Sequence, residues 1–276
     1  MKESSKTFLP FNAMYKYASL AKIALKDTLY YPNKALSEIF VAFIRVCVLL
    51  VLYSYAYQYF GKSVNGISLP VACWSIAIYF ILLSVNARRI FREINDDIVS
   101  GKVETLVNKP IGYLAYKVSL QFGSNFLNGI ITLLGACLIL VVFIGVPVFV
   151  LTPLWILEVI LLTILGLTLA YLIYIVVALA AFWLNNATPL YWITDKSILI
   201  LGGSYIPVAL FPDIIKTIAR FSPFGASMFS TYIFYPNFVS DAPKLLAIQI
   251  GWILVAFFLV KVIYGAAERK LTVNGG

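Results

Sequence analysis

Six stretches of this chain are long and apolar enough to demand hydrocarbon rather than water: residues 38–60, 69–86, 119–144, 154–184, 190–211 and 245–265. A helix needs about 20 mostly apolar residues to cross roughly 30 Å of bilayer core. A soluble fold hiding all six runs would need polar cover. Charged residues make up only 12% of the chain, against about 25% in soluble domains. Lipid removes the need for that cover. The expected fold is therefore an all-α membrane protein with six transmembrane helices, forming one domain over residues 1–276. The fourth run exceeds the bilayer thickness and should tilt or protrude. The fifth is the least regular, because it holds Asp195, Lys196, Gly202, Gly203 and Pro207.

The chain carries 21 Lys and Arg against 12 Asp and Glu. Such an excess suits either a nucleic-acid surface or the inner loops of a membrane protein. Position separates the two. With a cytoplasmic N-terminus, the inner segments hold Lys2, Lys6, Lys16, Lys22, Lys26, Lys34, Arg88, Arg89, Arg92, Lys102, Lys109, Lys117, Arg269 and Lys270. The outer segments hold only Lys62, Lys216, Arg220 and Lys244. This asymmetry predicts both termini inside and accounts for the basic excess without nucleic acid.

Histidine is absent from the sequence, which removes His-based catalysis and His-ligated metals. Cys47, Cys73 and Cys137 lie in apolar runs, with neither disulfide nor metal-ligand spacing. No paired carboxylates and no nucleophile with a base stand out. No catalytic, cofactor-binding or metal-binding residue is assigned, and the chain is not expected to be an enzyme. The polar, basic first ten residues are not followed by a cleavable signal segment.

Three segments outside the spans carry information. In residues 11–31, Met14, Tyr17, Ala18, Ala21, Leu25 and Leu29 share a helical face, and Lys16, Ser19, Lys22, Lys26 and Asp27 lie away from it. That pattern predicts an amphipathic helix in the inner membrane interface, or else an ordinary cytoplasmic helix. In the loop 87–118, Ile90, Phe91, Ile94 and Ile98 fall at helical spacing opposite Arg88, Arg89, Arg92, Glu93 and Asp96, with Asp97 at the boundary. Ser100 and Gly101 offer a stop. A second short stretch, 103–107, runs into Lys109-Pro110. Such a helix is available to a soluble partner; the bland reading is a solvated connector. Segment 212–243 places Ile214, Ile215 and Ile218 at helical spacing between prolines, followed by Tyr232, Phe234 and Tyr235. It reads as re-entrant or interfacial helices, or as a membrane-lying loop.

One motif misleads. Residues 56–63 approximate a phosphate loop but put Ala56 where Gly is required. They also end a predicted span, whereas a phosphate loop opens a helix. Ionisable residues inside spans are functional candidates. Arg45 and Lys261 can snorkel, and Glu158 lies near an outer end. Asp195 and Lys196 lie within about two turns of the fifth run's inner end and read as an intramembrane ion pair with a neighbouring helix, or as part of a substrate path.

The order of these parts resembles the permease subunit of a type-2 ATP-binding-cassette (ABC) exporter, and more narrowly a poorly characterised bacterial group of such permeases. Two stretches carry the resemblance: Glu93-Ile-Asn-Asp-Asp-Ile98-Val-Ser-Gly101-Lys-Val-Glu104-Thr-Leu-Val-Asn-Lys-Pro110, and Gly202-Gly-Ser-Tyr-Ile-Pro207-Val-Ala-Leu-Phe-Pro212. It implies a dimer of permeases, homo- or heterodimeric, in the bacterial inner membrane, docked on two separate ATPase subunits. ATP and magnesium would belong to those partners. The loop helix would be the coupling helix, with Arg88, Arg89, Phe91, Arg92, Ile94, Asp97, Ile98 and Glu104 as its coupling residues. The implied cargo is amphipathic or hydrophobic: a drug, a peptide or a lipid-linked glycan. An ion- or proton-coupled carrier is the alternative. A membrane enzyme or an assembly scaffold comes third.

Overall fold

A computed structural model of the chain describes residues 10–30, 32–61, 63–64, 66–85, 87–107, 111–146, 152–184 and 186–274. Eleven α-helices follow one another among them: α1 (Pro10–Tyr30), α2 (Pro32–Phe60), α3 (Leu69–Ser84), α4 (Arg88–Val99), α5 (Lys102–Val107), α6 (Tyr113–Phe143), α7 (Pro153–Leu179), α8 (Thr188–Leu201), α9 (Asp213–Phe221), α10 (Pro223–Ala226) and α11 (Phe238–Asn274). The one ladder is a short hairpin between α2 and α3, β1 (Ser63–Val64) with β2 (Ile67–Ser68), paired Ser63 to Ser68 and Val64 to Ile67. Gly66 turns it at φ +77°, a backbone conformation that costs glycine nothing.

Local chemistry sets several of these boundaries. Proline falls in the first turn of α3, α7, α8 and α10, where its missing N–H is no loss. The Thr152 hydroxyl accepts from the Trp155 amide at 3.1 Å and caps α7. Ser222 caps α10 in the same way, through the Gly225 amide at 3.0 Å.

Among the described residues, four helical segments are long and apolar enough to cross a membrane: Leu69–Val99, Tyr113–Phe143, Pro153–Phe182 and Phe238–Arg269. The runs 38–60 and 190–211 of the sequence are not among these four. α2 itself runs for 29 residues, and Phe43–Tyr59 is its apolar stretch among the described residues. The fifth run is not one continuous helix. Its helix, α8, stops at Leu201 after 14 residues, about 21 Å at 1.5 Å per residue. Gly203 then takes φ +83°, and only a single 3₁₀ turn, Val208–Leu210, forms before Pro212.

α4, α8, α10 and α11 pack around α7, whose most extensive neighbour is α11. Gly166 of α7 lets the Ser227 carbonyl come close, where a Cβ would stand 2.7 Å from that oxygen. Against the same glycine, Gln249 of α11 is fully buried. Its amide donates to Leu162 O at 3.3 Å and to Ala226 O at 2.9 Å, joining α11, α7 and α10. A second cluster joins α2, α3 and α6 through Val46, Leu50, Tyr53, Trp74, Ile76 and Leu140. Leu138, Val142 and Phe143 of α6, with Leu254, Phe257 and Phe258 of α11, point outward. Hydrocarbon is the solvent that suits such a surface.

α1 packs along α6. The contact is close because Gly123 has no side chain: a Cβ there would overlap the backbone of Ala21. Lys16, Lys22 and Lys26 lie on the exposed side of α1. Gly123→Val should therefore lever α1 off α6. Limited proteolysis within residues 15–30 should accelerate clearly over the native chain, whereas Gly135→Ala, which meets open space, should leave the rate unchanged.

Candidate functional site

α4 differs from the other helices in having a charged sequence and a buried position. Ile90, Phe91 and Ile94 are at most 2% exposed, and α4 packs against α7, α6, α5 and the 3₁₀ turn Ala180–Phe182. The apolar side of this helix is thus turned into the protein's own core, which leaves its polar side and C-terminal end for a soluble partner. Ile98 packs partly buried against the same cluster. The side is the same as in the sequence reading, but what it meets is different.

Polar clamps hold the flanks of α4. On one flank Arg88 forms an ion pair with Asp195 of α8, and the Tyr174 hydroxyl of α7 donates to the same carboxylate at 2.9 Å. Phe91 stacks on Tyr191 of α8 with ring centroids 4.5 Å apart and planes 16° apart. On the other flank Lys117 of α6 lies 2.6 Å from Asp97 and 3.8 Å from Glu93. The Tyr113 hydroxyl donates to Asp97 at 3.0 Å. Gln121 donates to Glu93 at 2.6 Å, and Arg89 bonds the same carboxylate at 2.9 Å. Asn125 extends the chain, donating to Gln121 at 3.2 Å and to the Tyr171 hydroxyl of α7 at 3.3 Å. Asn95 accepts from the Ala187 amide, just before α8, at 3.4 Å.

Each buried carboxylate here meets a cation and at least one neutral donor, the condition for tolerating charge away from water. α4 is thereby fastened to α6, α7 and α8 at once, and a push on it reaches three helices. What remains outward is polar: Arg92, Asp96, Ser100, Gly101, Lys102, Glu104 and Thr105 are exposed, with Val99 57% exposed. Gly101 takes φ +73°, ends α4 and starts α5, and Val103 and Leu106 anchor α5 inward. The α4–α5 corner is a blunt polar tip on a rigid mount.

Of the residues singled out in the sequence, Arg88, Phe91, Ile94 and Asp97 are inside the mount, Arg89 is on its edge, and Arg92 and Glu104 belong to the tip. Asp195 is buried against Arg88, and Lys196, itself exposed, keeps its ammonium 3.9 Å from the same carboxylate. Glu158 is buried and its Oε2 has no hydrogen-bond partner among the described residues. The phosphate-loop look-alike finishes α2 and enters the hairpin, with Tyr57 donating to Ile67 O at 3.1 Å. Sequence reasoning missed Lys117, Gln121 and Asn125. Their signal was available: they repeat every four residues, one stripe on an otherwise apolar helix.

The family model described as ABC-2 family transporter protein matches residues 43–275. The chain belongs to the ABC-2 transporter family. No curated protein matches it. The match spans α4, α5 and every helix clamped to them, so the mount described above is part of an ABC-2 permease, a membrane transport component.

Proposed function

We propose that this ABC-2 permease is the membrane-spanning subunit of an ATP-driven exporter of the bacterial inner membrane, and that its α4–α5 tip is the contact for a separate ATPase. The observation that carries the reading is the mount: a polar tip tied by ion pairs and hydrogen bonds to α6, α7 and α8. A lever of this kind turns motion of a docked subunit into motion of spanning helices. In this reading the α4 end faces the cytoplasm, where the basic residues gather. α1 lies at the inner interface, and residues 212–243 shape the outer opening. ATP and magnesium are held by the ATPase. Two permease copies, identical or homologous, complete the transporter, and the cargo is amphipathic or hydrophobic.

An ion-coupled carrier needs a carboxylate free to exchange its ion. Asp195 is engaged by Arg88 and Tyr174, which favours the ATP-driven reading; the buried Glu158 is the group the carrier would have to use.

The test is co-purification of an ABC ATPase with the tagged chain from its native membranes. Combining Val99→Asp, Lys102→Glu and Glu104→Lys should lower the bound ATPase about tenfold or more at equal permease yield. Undiminished ATPase in the triple variant would refute the placement of the contact. Transport that survives ATP depletion but collapses with the ion gradient would refute the class.

A further inference from the structure

α8 has two unlike faces. Tyr191, Thr194, Asp195 and Ile198 are buried, while Trp192, Ile193, Lys196 and Ile200 are exposed. The Lys196 ammonium lies 5.4 Å from the centre of the Trp192 ring and 3.9 Å from Asp195 Oδ2. The Lys196 side chain is 55% exposed and that of Asp195 3%. Arg88 occupies the other oxygen of the same carboxylate. Two cations therefore share one anion, and one positive charge is left over at this point of α8.

Lys196 follows the start of α8 by eight residues, and the carboxylate beside it is held by Arg88 at the start of α4. A residual cation set in an exposed apolar face is expensive against acyl chains unless an anion or water meets it. The rest of the exposed face is apolar and aromatic.

Resting on the permease reading above, we propose that this face of α8 receives the head group of an acidic amphiphile drawn from the bilayer. The cargo would then be anionic: a phosphate, sulfate or carboxylate on an apolar body. The ammonium of Lys196 pairs with the head group. Trp192, Ile193 and Ile200 cover the adjoining apolar part. Asp195 does not repel the ligand, because Arg88 and Tyr174 already hold it. The same charge excess disfavours permanently cationic amphiphiles at this face. This narrows the cargo classes left open by the sequence to their acidic members.

The experiment uses the permease–ATPase complex in nanodiscs of phosphatidylcholine, at a pH where the probe is ionised. The probes are cis-parinaric acid and its methyl ester, followed by energy transfer from tryptophan. The native complex should bind the acid about tenfold more tightly than the ester. Lys196→Gln should abolish that preference and Lys196→Arg should keep it. Trp192→Phe should reduce the energy transfer while leaving the preference in place. Phosphatidylglycerol in the disc should compete with the acid in the native complex and not in Lys196→Gln. A native complex without preference, or a Lys196→Gln complex that retains it, overturns the proposal, as expected if Lys196 merely reaches back to the interface or meets a second copy of the chain. The ATPase content of the same preparation is read separately. A complex that carries its ATPase and lacks the preference sinks this inference alone; a chain that never binds an ATPase sinks the permease reading.

Discussion

Arg88→Ala will destabilise the protein more than Asp195→Asn, and the double variant will be more stable than Arg88→Ala alone. The two side chains form one ion pair but differ in exposure, 22% for Arg88 and 3% for Asp195. Removing Arg88 strands a buried carboxylate, with the Tyr174 hydroxyl on one oxygen and Lys196 3.9 Å from the other. Stranding one partner of a buried pair costs about 3–5 kcal/mol. Removing the charge of Asp195 leaves a guanidinium that can turn toward water, so the loss is nearer that of one charged hydrogen bond, about 1.5–3 kcal/mol. In the double variant no charge is stranded. A double-mutant cycle on thermal unfolding of the detergent-solubilised chain should show a coupling of about 1–3 kcal/mol. Additive effects would mean that the pair does not hold α4 to α8.

Ile94→Asp should abolish a folded α4, whereas Val99→Asp should leave folding alone and weaken the ATPase contact. Ile94 has no exposed surface, and Val99 is 57% exposed on the tip. An aspartate at 94 loses the burial of the isoleucine, about 2–3 kcal/mol, and adds an unpaired buried carboxylate. The total should exceed about 4 kcal/mol, the range reserved for gross defects. Surface changes such as Val99→Asp fall within about 0.5 kcal/mol. Expression level and unfolding temperature separate the two variants. If Ile94→Asp were folded and stable, with ATPase binding alone lost, the apolar side of α4 would be the docking surface after all.

These two residues also show where the sequence was informative. The spacing of Ile90, Phe91, Ile94 and Ile98 gives a helix, and Ser100-Gly101 its end, because helical periodicity and a left-handed glycine are local properties. Whether that apolar face meets a partner or the chain's own core is not local. Both demand the same residues, and only the positions of α6 and α7 decide. Lys117 illustrates the converse. Counted as a loop charge, it placed the start of the next span at Ser119, yet α6 begins at Tyr113 and carries Lys117 into the polar network. Hydropathy treats a charge as an end; a paired charge can lie inside a helix. The long runs of α6, α7 and α11 were legible because hydrocarbon demands length. The run through α8 was overread for the same reason. Leu210 and Phe211 keep it apolar, but Gly202 and Gly203 release the helix after Leu201.

In the proposed arrangement the α4–α5 tip touches the ATPase and the α9 region lies on the opposite side of the membrane. Placing a photo-reactive residue at Lys102 or at Lys216, irradiating intact cells and probing for the ATPase tests both halves together. Position 102 should cross-link and position 216 should not. A cross-link from 216 with none from 102 would invert the molecule and contradict this arrangement.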